Sequence, residues 1–298
     1  MYYSIIYLIM QAENLKNNTE KGVFMMTFPI ALQLYSIREE MDRDFEGTLR
    51  AVKAMGYDGV EFAGLFGKDP TEVRRLLDEI GLVAISAHVG AADILADPDT
   101  VLAGYQTIGC RYIALPWSSE EDRPGGVHFD AFVEQVRQIG ALVKPYGMTL
   151  LYHNHDFEFV DLDGKIGLDV LYERVDASLL QTELDVCWVS VGGCDPADYL
   201  RKYSGRAPLV HVKDYWMAGK KPSKLYALIG VDDENEQTEA AGDFELRPLG
   251  LGVVDVPSVV AAATDAGTQW LIVEQDDPSM GKTPMECVEI GLAYLKSL

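Results

Sequence analysis

Four stretches of the chain run apolar and then end in ionisable side chains: LLYHNHDFE, LLQTELD, PLVHVKD and WLIVE. They deliver His153, Asn154, His155 and Glu158, then Asp185, then His211, Lys213 and Asp214, and finally Glu274. Comparable positions upstream carry Gln33, Tyr35, Glu61, His88 and Trp117. Four of the five histidines fall at such run ends. A charge beside an apolar run is costly unless it is paired or bound to a metal. Carboxylates with imidazole and no thiolate form a hard donor set, suited to Mn²⁺, Mg²⁺, Co²⁺ or Zn²⁺ and unlike a closed structural zinc site. Taken singly, each residue reads as well as a histidine bonded to a carbonyl or an acid capping a helix. Taken together, Asp185, His211 and Glu274 read as ligands of one divalent ion. Glu61 reads as a substrate contact or an ion-pair partner. His88 and Trp117 read as substrate wall or as packing.

The elements that must position these groups alternate along the chain. Strands are expected at Ile30–Leu34, Gly59–Phe62, Val83–His88, Tyr112–Leu115, Thr149–His153, Leu180–Leu184, Leu209–Val212 and Trp270–Glu274. Between them lie amphipathic helices, such as Asp44–Met55 with Phe45, Leu49, Val52 and Met55 on one face. Glycine repeatedly separates a helix from the next strand, as in Met55-Gly56-Tyr57 and Ile80-Gly81-Leu82. Eight strand–helix units with continuous apolar strands predict a single-domain α/β chain, a closed parallel (β/α)₈ TIM barrel. An open doubly wound sheet would want a Gly-rich phosphate turn after the first strand, and LQLYSIREE is not one. In a barrel, chemistry sits where the strands end, which is where the ionisable groups fall.

A barrel of about 250 residues leaves room in the 298-residue chain for an extension and a long loop. Residues 1–27 are expected to be a disordered tail, a docking segment or a non-native start, leaving the barrel over 28–298 with a long irregular segment at 215–252. Ten apolar residues, MYYSIIYLIM, are too few to span a bilayer, and no basic residue precedes them as in a secretory signal. Lys220, Lys221 and Lys224 in the long segment read as solvated loop lysines or as a lid over an anionic substrate. Asp232–Glu236 reads as a solvated acidic run. The net charge of −22, from 47 acidic and 25 basic residues, opposes nucleic-acid binding. Four scattered cysteines without CxxC spacing fit reduced, mostly buried thiols in a cytoplasmic protein.

The segments LQLYSIR, AMGYDGVEFAG, LLYHNHDFEF, LDVCWV, HVKD, PLGLGVVD and LIVEQDD resemble the xylose isomerase-like barrel superfamily, in particular its sugar phosphate isomerase/epimerase group. The resemblance runs from about Ile30 to Leu298. It implies one divalent ion held by Asp185, His211 and Glu274. The fourth ligand departs from the pattern, because His153 stands where epimerases carry a glutamate. Either Glu158 folds back to ligate the ion, or His153 ligates and Glu158 supports it; the preference of a hard ion for carboxylate favours Glu158. The resemblance further implies proton abstraction α to a carbonyl of a sugar or keto-sugar, with Glu274, His153, His155 and Lys213 as the catalytic candidates. Gln33, Glu61, His88, Trp117 and Trp188 are the expected substrate contacts, with Trp216 as a further stacking surface. Isomerisation or epimerisation is the first expectation and elimination by a dehydratase the second, toward which the histidine-rich fifth strand leans. A non-catalytic sugar-binding barrel is the remaining alternative. The expected partner is a small sugar, with no nucleic acid and no membrane, in a homodimer or homotetramer as among relatives.

Overall fold

The computed structural model describes residues 28–219 and 244–298. The expectations for residues 1–27, for Lys220, Lys221 and Lys224, and for Asp232–Glu236 lie outside the described residues. Barrel strands are β1 (Ile30–Gln33), β2 (Gly59–Ala63), β3 (Val83–His88), β4 (Tyr112–Leu115), β5 (Thr149–His153), β6 (Gln181–Asp185), β7 (Leu209–Val212) and β8 (Trp270–Val273). The main helices between them are α1 (Phe45–Met55), α2 (Pro70–Ile80), α3 (Pro98–Ile108), α4 (Phe129–Val143), α5 (Gly167–Arg174), α6 (Pro196–Lys202), α7 (Val256–Ala266) and α8 (Pro284–Ser297). The eight parallel strands close in sequence order, with β1 pairing to both β2 and β8. The chain is therefore a single-domain (β/α)₈ barrel, as its periodicity predicts.

Local chemistry sets the helix limits. Asp69 and Asp97 accept backbone N–H bonds at the starts of α2 and α3, and each is followed by proline at the first helical position. Gly81, at φ 75°, ends α2 in the left-handed conformation that favours a residue without Cβ.

Strand alternation divides the barrel into an outer and an inner face. Leu32, Val60, Phe62, Tyr152, Leu184 and Val210 point outward and pack with the helices in the main core. Ala31, Tyr112, Ala114, Leu151, Leu209 and Ile272 point inward and plug the lower half of the barrel. A register shift between β2 and β3 leaves Ile85 without a Cα partner and pairs Glu61 with Ser86. Such a bulge re-aims side chains. Here it allows Ile85 to join the plug while Ser86 turns to Glu61.

Three places depart from the sequence reading. After β1 the chain makes a 3₁₀ turn, Leu34–Ile37, and a short helix, Arg38–Arg43. The apolar run VCWVSV after β6 is helical, Val186–Val191. The segment expected to be irregular from Tyr215 to Gly252 is framed by an antiparallel pair, Asp214–Met217 with Phe244–Arg247. Asp214 clips the base of that hairpin, its two carboxylate oxygens accepting from the backbone N–H groups of Tyr215, Gly250, Gly252 and Val254. A Cβ at Gly252 would lie 2.2 Å from the Asp214 carboxylate, so the clip requires glycine there. Among the described residues no helix is long and apolar enough to cross a membrane, and all four cysteines are free.

Candidate active site

Above the apolar plug the inward side chains turn polar in two tiers. The lower tier holds Gln33 of β1, Glu61 of β2, Ser86 and His88 of β3 and Glu183 of β6. The upper tier holds His153 of β5, Asp185 of β6 and, just past the strands, Lys213 and Glu274. His211 of β7 touches both tiers. Its Nε2 lies 2.7 Å from Glu61 Oε1, and its Nδ1 lies 3.0 Å from Glu274 Oε2.

Upper-tier donors converge. One ligand atom each from His153, Asp185, His211 and Glu274 fall within 4.8 Å of one another, and all four residues are buried. His153 Nε2 is 3.9 Å from Asp185 Oδ2. Asp185 is aimed by two devices. One oxygen accepts from Trp188 N at the start of the short helix. The Asn154 amide clamps the Asp185 backbone, accepting from its N–H at 3.0 Å and donating to its carbonyl at 3.2 Å. The other oxygen, Oδ2, is buried and has no hydrogen bond. A buried carboxylate oxygen without a hydrogen bond is costly, and a cation among these four donors would satisfy it. The donor set, two carboxylates and two imidazoles, fits a divalent transition ion or zinc.

Lys213 supplies the local positive charge. Its Nζ is 2.7 Å from both Glu274 Oε2 and Asp276 Oδ2, and 3.5 Å from Asp185 Oδ2. The Trp188 ring covers it, 5.3 Å from the ammonium. Burial alone would lower the lysine pKa, but Asp276, Glu274 and Asp185 outweigh it and hold the group charged, well above the usual value. Burial and the Glu274 charge push the Asp276 carboxyl up to about 6. His155 stands beside this group with its ring 5.0 Å from that of Trp117, 5.2 Å from Phe157 and 5.6 Å from Trp188. Burial and the Lys213 charge keep its imidazole neutral. Arg123 lies over Phe157 and Trp117, at 3.8 and 4.8 Å from the ring centroids.

The lower tier is an ion-paired floor. Glu61 accepts from Gln33 Nε2 at 2.6 Å and from Ser86 Oγ. His88 bridges the two lower acids, its Nε2 lying 2.7 Å from Glu183 and 3.1 Å from Glu61. Burial favours a neutral His88, but Glu61 and Glu183 outweigh it and raise the imidazole to about 10. Burial likewise would raise Glu61, but His88 and His211 hold it well below the usual carboxylate range.

The expected residues therefore separate. The structure brings His153, Asp185, His211 and Glu274 together, with Lys213 and His155 beside them. Glu158 is not brought in, which corrects the preference for it as the fourth ligand. Its carboxylate accepts from Tyr152 Oη at 2.6 Å and from His155 N at 2.8 Å, on the outer side of β5. Gln33, Glu61 and Trp188, expected at the substrate, are fully buried and committed to neighbouring side chains. His88 also belongs to the floor. Trp117 is half-buried, and Trp216 is exposed on the hairpin. Three polar residues escaped the sequence reading: Ser86, Glu183 and Asp276. Each sits two positions from a residue that was singled out, and strand period two puts Ser86 and Glu183 on the same inner face as His88 and Asp185.

A closed barrel with a carboxylate–imidazole centre inside its mouth defines a class of enzyme scaffold. The chain belongs to the xylose isomerase-like TIM barrel family, whose sequence model matches residues 49–298. It is 25% identical over 276 residues to the inosose dehydratase of Geobacillus kaustophilus, covering 84% of this chain and 86% of that one. Among solved structures, a sugar phosphate isomerase/epimerase from Parabacteroides distasonis superposes with a TM-score of 0.70 at 21% identity, covering 91% of this chain and 98% of that one. An L-ribulose 3-epimerase superposes at 0.67 with 15% identity, covering 90% and 93%. At such identities the structural likeness speaks for the fold.

Proposed function

We propose that this chain is a divalent-metal-dependent dehydratase that eliminates water from a cyclic keto-polyol or keto-sugar. The observation that carries the reading is the buried convergence of His153, Asp185, His211 and Glu274, with Asp185 Oδ2 left without a hydrogen bond. These four side chains would hold the ion. When bound, the ion supplies electrophilic polarisation of a substrate carbonyl. The sequence placed isomerisation or epimerisation first and elimination second. Two features reverse that order: His153 occupies the position of one acid/base carboxylate of the epimerases, and the Geobacillus relative bears a dehydratase name.

The protein groups divide the proton work. The neutral imidazole of His155 takes the proton from the carbon next to the carbonyl. The released electron pair forms the new carbon–carbon double bond as the β-carbon–oxygen bond breaks. Lys213 Nζ, held charged by its three acids, donates to the departing hydroxyl, which leaves as water. No oxidant or reductant is required. Trp117, Phe157 and His155 form an aromatic wall for the apolar face of the ring.

The test incubates Mn²⁺-loaded protein with cyclic keto-polyols, ketoses and 3-keto-sugars in D₂O, followed by NMR and mass spectrometry. Loss of one water per molecule with a new alkene signal is the expected result. Deuterium incorporation and a new stereoisomer without water loss would transfer the chain to the epimerases. Absence of C–H exchange across the whole panel would sink both readings.

A further inference from the structure

The floor beneath the centre contains two acids that face the two candidate imidazole ligands from below. Glu61 Oε1 lies 2.7 Å from His211 Nε2. Glu183 Oε2 lies 3.5 Å from both His153 Nδ1 and His211 Nε2, an ion-pair distance and not a hydrogen bond. The opposite ring nitrogens, His211 Nδ1 and His153 Nε2, face the upper carboxylates Glu274 and Asp185. An imidazole presents a lone pair on one nitrogen only when its proton sits on the other, and a carboxylate facing the second nitrogen fixes that choice.

We propose that Glu61 and Glu183 are positioning residues that set the tautomers and ring orientations of His211 and His153, and so create the metal centre from below. This rests on the reading that the upper tier binds a divalent ion. The floor is built for the task. Glu61 is itself pinned by Gln33 and by Ser86, the residue the β3 bulge turns inward. His88 spans the two acids and spaces them across the barrel. His88, His153, Glu183 and His211 also form a second grouping of donors within 4.8 Å. It shares both imidazoles with the upper group, and its His88 is already hydrogen-bonded to Glu183 at 2.7 Å. Because both imidazoles are shared, we read this group as the support of the upper centre.

The experiment measures Mn²⁺ affinity and stoichiometry by titration, together with thermal unfolding of the metal-free protein, for wild type, Glu61→Gln and Glu183→Gln. Both substitutions keep side-chain volume. The wild type is expected to bind one ion per chain. Each variant should bind it about 10- to 100-fold more weakly, the usual effect of removing an outer partner of a ligating histidine. The metal-free unfolding temperature should stay within a few degrees of wild type. The Co²⁺-loaded variants should also show a shifted visible absorption spectrum. Unchanged affinity and spectrum, or a lowered unfolding temperature at unchanged affinity, would show a structural role only and overturn the proposal. Two ions per wild-type chain would mean that the inner group is itself a metal site, also overturning it. A wild type that binds no Mn²⁺ would instead refute the proposed function, and the positioning role with it.

Discussion

The two faces of β5 handle buried charge in opposite ways. Inward, His153 joins a site crowded with carboxylates, in which Asp185 Oδ2 is left without a hydrogen bond. Outward, one residue earlier, Tyr152 meets a single buried acid, Glu158, and every oxygen there has a partner. Tyr152 Oη lies 3.0 Å from Ser118 Oγ and bonds to Glu158 Oε1, while Glu158 Oε2 accepts from His155 N. Charge on the inner face is shared among lysine, imidazole and acid. On the outer face burial pushes Glu158 up to about 8. Its Oε1 accepts from Tyr152 Oη, and the chain of hydrogen bonds runs on to Ser118. A carboxyl group so placed is a packing element. The same group one strand face away is a candidate ligand.

The largest expected effect tests the inner face. Asp185→Asn should abolish stoichiometric Mn²⁺ binding and lower kcat/KM by about three orders of magnitude, equivalent to about 4 kcal/mol of transition-state stabilisation. Retention of native metal content would place the centre elsewhere.

Glu158→Gln tests the outer face by pH. The carboxyl sits at about 8 in the folded protein against 4.5 as its ordinary value. Folding therefore takes up a proton between those limits. This stabilising contribution is full below the lower limit and is lost as pH rises through the folded value, at about 1.4 kcal/mol per pH unit. Glutamine keeps both hydrogen bonds without titrating. In urea melts the variant should match wild type near pH 5 and exceed it by up to about 4 kcal/mol near pH 8. A pH-independent difference would contradict the neutral-acid assignment. Mn²⁺ affinity should be unchanged, and a large loss would return Glu158 to the ligand set.

Tyr152→Phe should have the smallest effect, about 1–3 kcal/mol of stability from the unpaired Glu158 and Ser118 groups. Metal binding should again be retained. A variant that lost its ion would show that the two faces of β5 are not independent.

This contrast also explains what the sequence could disclose. The bounds of β3, β4, β5 and β7 were legible to the residue, because an apolar run stopped by polar groups marks where a buried strand meets solvent or a site. The placement of Asp185, His211 and Glu274 at the strand ends, where they converge, was legible for the same reason. Glu183 was hidden inside its run, although period two would have placed it beside Asp185. Glu158 misled, because distance along the chain from His153 says nothing about which way a turn folds back. The short helix Val186–Val191 was hidden by β-branched residues; Asp185 caps it by accepting from Trp188 N. The hairpin at Asp214–Met217 depends on pairing with Phe244–Arg247, a contact too distant in sequence for any local pattern.

The Asp214 clip gives the scaffold a property of its own. Four backbone N–H groups are gathered on one carboxylate immediately after Lys213, so the hairpin closes at its base whatever lies between its strands. The entropy of closing a loop grows only logarithmically with its length. At that modest cost Asp214 fixes both where the chain departs after Lys213 and where it returns at Gly250, Gly252 and Val254, so one carboxylate anchors both ends of the excursion beside the site.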